Sequence, residues 1–230
     1  MIFMVHGGAW RWGDKSAASV VENKVARWVS KGFIFISTNY RMLPDTLPRD
    51  QEADIVRALA TAQEKASTWG GAPDKFIVMG HSAGAHLAAL LAASPTDAYK
   101  AGVKPWLGTV LLDSAALDVT KIMQSRHFNF YDRAFGKDRS DWNSVSPLQQ
   151  LSASATPMLA VCSSQRNDSC DQARQFANRA NLLKVRVTVL EQDLSHREIN
   201  QSLGSVGAYT DAVESFMASL DMTVKKVLTN

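Results

Sequence analysis

The sequence predicts an α/β architecture, a mostly parallel sheet with helices on both of its faces. Two observations carry that prediction. Short apolar runs alternate with segments of helical spacing along the whole chain. The runs are apolar throughout rather than alternating with polar residues, as expected of strands covered on both sides.

The first run is IFMV (2–5), which ends at His6-Gly7-Gly8. Residues 17–30 have helical spacing, with Val20, Val21, Val25 and Trp28 on one side. FIFIST (33–38) reads as a buried strand, and 50–67 as a helix through Ile55, Leu59 and Ala62. FIVMG (76–80) is a strand, followed by a helix of small residues over 83–93. GTVLLD (108–113) is a strand. Residues 119–147 are irregular and rich in aromatics, among them Phe128, Phe130, Tyr131, Phe135 and Trp142. PMLAVC (157–162) is a strand, 171–183 a helix and VRVTVL (185–190) a strand. A long helix over about 207–228 closes the chain, with Ala212, Val213, Phe216, Leu220 and Val224 on one face.

At 230 residues the chain suits one domain, 1–230, in which 119–147 is a small insertion. Hydrophobic content of 46% and charged content of 20% exclude a disordered chain. A net charge of +3 without a Lys/Arg cluster argues against a nucleic-acid partner. No apolar run is long enough for a bilayer, so no membrane association is expected. The segment MIFMVHGG has no basic leader region and does not read as a signal peptide, which favours the cytoplasm. Cys162 and Cys170 bracket CSSQRNDSC. If they are bonded, a periplasmic or secreted location is the alternative; free thiols are the other reading. No CxxC motif or histidine cluster suggests a metal.

In such sheets the chemistry sits at the carboxyl ends of the strands. Gly80-His81-Ser82-Ala83-Gly84 is a G-x-S-x-G motif between a predicted strand and a predicted helix. The sharp turn presents the Ser82 hydroxyl at a helix N-terminus, and the glycines relieve the crowding. The bland alternative is a tight turn with an incidental serine.

A serine hydroxyl needs a base. Of the five histidines, His6 precedes two glycines, His86 is inside the helix and His127 lies in the insertion. His81, the variable residue of the motif, is expected to point away from the hydroxyl and is assigned to the substrate pocket. His196, after the last strand, is assigned as the base; the alternative is a capping or surface histidine. The base needs a carboxylate. Asp113 and Asp118 follow GTVLLD and read as structural, and Asp193 is too close in sequence to His196. Asp168, in the loop after PMLAVC, gives the order Ser, Asp, His and is favoured, ahead of Asp171 and Asp118. Its alternative role is a helix N-cap. Gly7 and Gly8 let backbone N–H groups turn toward a carbonyl oxygen, forming an oxyanion hole with the N–H of Ala83.

HGGAWRWGDK (6–15), NYRMLP (39–44), GHSAG (80–84), the Asp168 loop and SHREIN (195–200) together resemble the α/β-hydrolases. Within them the chain is similar to HGGxW-type carboxylesterases, related to hormone-sensitive-lipase-like and kynurenine-formamidase-like enzymes. The resemblance implies a cofactor-free serine hydrolase of small esters with Ser82, Asp168 and His196 as triad and Gly7, Gly8 and Ala83 as oxyanion donors. It implies that Trp10 lines the acyl side of the pocket, with ordinary packing as the alternative. It also implies that the chain starts at the family's third strand, without the usual first strands. The insertion reads as a pocket wall or as satellite core. An arylformamidase with the same triad, and a non-catalytic ligand-binding relative, are the competing functions.

Overall fold

The computed structural model describes residues 1–229. In chain order the elements are β1 (Ile2–Val5), α1 (Ala18–Val29), β2 (Phe35–Thr38), α2 (Pro48–Lys65), β3 (Ile77–His81), α3 (Ala83–Ala93), α4 (Thr96–Lys100) and β4 (Gly108–Leu112). They continue as α5 (Val119–Gln124), α6 (Asn129–Phe135), α7 (Arg139–Ser144), α8 (Pro147–Gln150), β5 (Met158–Ser163), α9 (Ser169–Leu182), β6 (Val187–Gln192), α10 (His196–Gln201), α11 (Ala208–Ala218) and α12 (Met222–Thr229).

The six strands form one sheet in the order β2-β1-β3-β4-β5-β6, and every pairing is parallel. Alternate residues feed two cores. Phe3, Val5 and Val78 face the layer holding α2, α3 and α9, while Ile2, Met4, Ile77 and Met79 face the layer holding Trp28, Val213 and Phe216. Strands apolar on both faces are the direct consequence. All of α3 is buried, because its small residues let it lie close against the sheet.

The strand order reverses direction between β1 and β3, which opens a crevice at their carboxyl ends. Register aligns what stands there. Val5 pairs with Gly80 and His81 with Leu112, so Gly7, Ser82 and Asp113 follow in one row across the strand ends.

Two sequence expectations change. The closing helix is two helices, because Asp221 caps the second: its carboxylate accepts from the N–H groups of Thr223 and Val224 and from Lys75. Residues 119–147 are not irregular but fold into the successive short helices α5, α6 and α7. Tyr131, Phe135 and Trp142 of this segment are buried, whereas Phe128 is exposed.

The buried stripe of α1 is Val20, Lys24 and Trp28, with Val25 outside it. The Lys24 ammonium, 1% exposed, donates to the backbone oxygen and side-chain Oδ1 of Asn200, at the end of α10. Burial lowers its pKa from 10.5 to about 7. The unfolded chain therefore binds the extra proton between these two values, and folding stability rises with pH across that window. The free-energy difference between wild type and Lys24→Met is expected to move in favour of wild type from pH 7 upward, by roughly 1.4 kcal/mol per pH unit at most. Urea unfolding of both proteins at several pH values measures it; parallel curves would refute the assignment.

Candidate active site

Ser82 leaves β3 with φ +54° and ψ −118°, a backbone conformation that side-chain-bearing residues rarely adopt. Its N–H is bonded to the Leu112 oxygen, and its own oxygen accepts from His86 and Ala115. The turn is therefore fixed on both sides. Gly84 lies where a Cβ would collide with the backbone oxygens of Val5 and His6, so α3 approaches β1 only through glycine. Gly7 stands directly beside Ser82: a Cβ there would lie 2.9 Å from the Ser82 Cβ.

His196 opens α10, whose first turn is held by a capping box between Ser195 and Glu198. Its Nε2 is 2.9 Å from the Ser82 hydroxyl and its Nδ1 is 2.5 Å from Asp113 Oδ2. A carboxylate only accepts, so Nδ1 carries the proton and the Nε2 lone pair faces the hydroxyl. Asp113 is fully buried and has a positive φ of +46°, which turns its side chain back toward the row it closes. Its Oδ1 accepts from the Ser163 N–H at 3.0 Å and from the Ser169 hydroxyl, and its Oδ2 also accepts from Arg166 at 2.8 Å. Burial alone would push this carboxyl up. The His196 hydrogen bond, the Arg166 charge and Ser169 outweigh it and hold the group well below the usual carboxylate range.

The carboxylate against His196 is thus Asp113, not the expected Asp168. Asp168 stands at the N-cap position of α9 with its side chain more than half exposed. It accepts from Gln172 at 3.0 Å and lies 3.9 Å from Arg166, and does not reach the imidazole. Asp171 pairs with Arg174 on the surface, and Asp118 caps α5 through the N–H of Lys121. His196 reaches the β3–β4 side of the crevice, where Asp113 follows Ser82 in the row.

Trp10 does not line an open pocket. It is fully buried, its indole N–H donates to His86 Nδ1 at 3.1 Å, and Phe135 packs on it edge to face. A buried indole needs such an acceptor. His86 Nε2 in turn donates to the Val145 oxygen, and burial holds this imidazole down to about 4. His81 is turned toward His196: its Nε2 donates to the His196 backbone oxygen at 2.9 Å and the two rings are 4.6 Å apart. Burial and the His196 charge lower its pKa to about 3, which keeps it neutral.

The N–H groups of Gly7, Gly8 and Ala83 take no partner within the chain among the described residues. Ala9 and Trp10 follow with φ of +49° and +59°, and this turn is pinned because the Trp10 oxygen accepts from Leu43 and from the Gln51 side chain. A cavity of about 1170 Å³ is lined by Arg126, Phe128, Phe130, Tyr131, Arg166 and Asp168, among others. Cys162 and Cys170 are joined in a disulfide that closes the loop carrying Arg166 and Ser169. Neither Arg166 nor Ser169 stands out in the sequence; the bracketing cysteines and Asp168 are the signals that this loop is special.

The family pattern of BD-FAE matches residues 1–178. The chain belongs to the BD-FAE family. This BD-FAE chain is 28% identical over 247 aligned residues to LipM of Mycobacterium tuberculosis, described as a probable carboxylic ester hydrolase. The match covers 97% of this chain and 55% of LipM. It is 37% identical over 97 residues to the esterase LipQ of the same organism, covering 42% of this chain and 23% of LipQ. The BD-FAE chain therefore spans about half the length, or less, of these curated relatives. Among solved structures it superposes on a truncated carbohydrate esterase from gut microbiota with TM-score 0.78 at 17% identity, covering 95% of this chain and 85% of that one. Apo esterase 2 of Thermogutta terrifontis gives 0.77 at 20% identity, covering 95% and 82%. These likenesses establish the α/β-hydrolase fold of this family member.

Proposed function

We propose that the chain is a serine carboxylesterase that cleaves small carboxylic esters through an acyl-enzyme on Ser82. One observation carries the reading: a single imidazole, that of His196, touches the Ser82 hydroxyl with one nitrogen and a buried carboxylate with the other. Ester hydrolase and esterase descriptions among the relatives support the same class.

The Ser82 oxygen attacks the ester carbonyl carbon as its proton passes to His196 Nε2. Asp113 holds the Nδ1–H tautomer and stabilises the imidazolium that forms. The tetrahedral oxyanion is held by N–H groups of Gly7 or Gly8 and of Ala83, at the positive end of α3. Collapse breaks the C–O bond, and the departing alkoxide takes the proton from Nε2. Water, deprotonated by the same nitrogen, then attacks the acyl-enzyme and releases the acid with Ser82 restored. No step calls for a cofactor or a metal.

The exposed Phe128 and half-buried Phe130 are read as one wall of the pocket, while Tyr131 and Phe135 belong to the core. No described helix is long and apolar enough to cross a membrane. The Cys162–Cys170 bond supports assembly in an oxidising compartment, periplasmic or secreted.

A fluorophosphonate probe is expected to label wild type and not Ser82→Ala. Side-by-side rates on p-nitrophenyl acetate and N-formylkynurenine should favour the ester. A folded wild type that resists the probe would overturn the hydrolase reading, and faster turnover of the formamide would replace esterase by arylformamidase.

A further inference from the structure

Two donors converge on one oxygen of the buried acid. Asp113 Oδ2 accepts from His196 Nδ1 at 2.5 Å and from Arg166 Nη1 at 2.8 Å. The two donor nitrogens are 3.4 Å apart, and both carry hydrogen, so they do not bond to each other. We propose that Arg166 is a positioning residue of the triad, whose permanent charge, held beside the imidazole by the disulfide-bridged loop, keeps His196 working as a base at lower pH. The proposal rests on the triad reading above.

The sign follows from charge. A guanidinium next to Nδ1 opposes formation of imidazolium, and it also neutralises part of the carboxylate that would favour imidazolium. The other groups around His196 do not supply this charge. His81 of β3 packs on the ring but is held neutral by burial. Lys24 of α1 bonds to Asn200, at the far end of α10. On α10 itself, Arg197 is exposed and bonded to Gln201, and Glu198 is tied to Ser195.

The loop geometry makes the placement persistent. Arg166 lies midway between Cys162, at the end of β5, and Cys170, in the first turn of α9. Its side chain is only 25% exposed. A guanidinium offers several donors in a fixed plane, so one can stay on Asp113 while another faces Asp168, 3.9 Å away. Removing Arg166 leaves the Ser163 N–H and the Ser169 hydroxyl on Oδ1, so the carboxylate stays aimed.

The test is the pH profile of kcat/KM for p-nitrophenyl acetate in wild type, R166Q, R166K and the C162S/C170S double variant, with fluorophosphonate labelling of each. In R166Q the acid limb is expected to move up by about one pH unit, with KM within about twofold of wild type. R166K, which keeps the charge, returns the limb most of the way. C162S/C170S, which keeps Arg166 but frees its loop, moves it in the same direction by less. An acid limb at the wild-type position in R166Q and in C162S/C170S, or in whichever of the two folds, overturns the proposal. So does an R166K limb displaced as far as that of R166Q. Failure of the wild type to label would instead remove the hydrolase reading itself, and the two failures are thereby told apart.

Discussion

Asp113→Asn is expected to lower kcat by about 10⁴, while Asp168→Asn stays within about threefold of wild type. The amide keeps the shape of the carboxylate but presents a neutral group to Nδ1. The imidazole then loses the acceptor that fixes its tautomer and the charge that stabilises its protonated form. Asp168 is exposed and touches only Gln172 and, loosely, Arg166, so its amide changes little. Steady-state kinetics on both variants, with melting curves to show that each is folded, settle the assignment. The reverse pattern, a crippled Asp168→Asn beside an active Asp113→Asn, would move the acid to the loop after β5.

Ser82→Gly is expected to abolish turnover, a loss of about 10⁵–10⁶ in kcat, and at the same time to make the protein more stable. Ser82 holds φ +54°, which a residue with a Cβ adopts only under strain. Glycine relaxes that conformation, for a gain of about 1 kcal/mol and roughly 2–4 °C in Tm. Ser82→Ala removes the same hydroxyl but keeps the Cβ, so its Tm should stay near that of wild type. Calorimetry on the three proteins separates the outcomes. If glycine and alanine melt together, the strain at Ser82 has no energetic weight.

Much of this architecture is legible in the chain. IFMV (2–5) and the helix 83–93 lie where their apolar runs place them, because both segments are buried on all sides and carry no ambiguous polar edge. Ser82 and His196 meet as the motif and the loop position imply. Asp113 directly follows its strand and in sequence alone reads as structural. Its contact with His196 depends on a left-handed φ and on a register that sets it beside Ser82, neither of which local sequence records. Chain order points to Asp168, and order does not say which carboxylate the imidazole can touch. Lys24 is illegible for a related reason: helical periodicity counts apolar residues, and a lysine among valines reads as a solvent-facing gap. Trp10 sat in a pocket motif, yet its indole found an acceptor in His86, inside the core.

The complete burial of α3 carries a last consequence. A helix with no wetted side exists only while the strands and helices around it stay closed, and Ser82 is its N-cap. No partly opened chain can therefore offer a correctly turned serine. Turnover in denaturant counts intact molecules, so loss of catalysis and loss of the protein's cooperative structure should coincide on one titration curve.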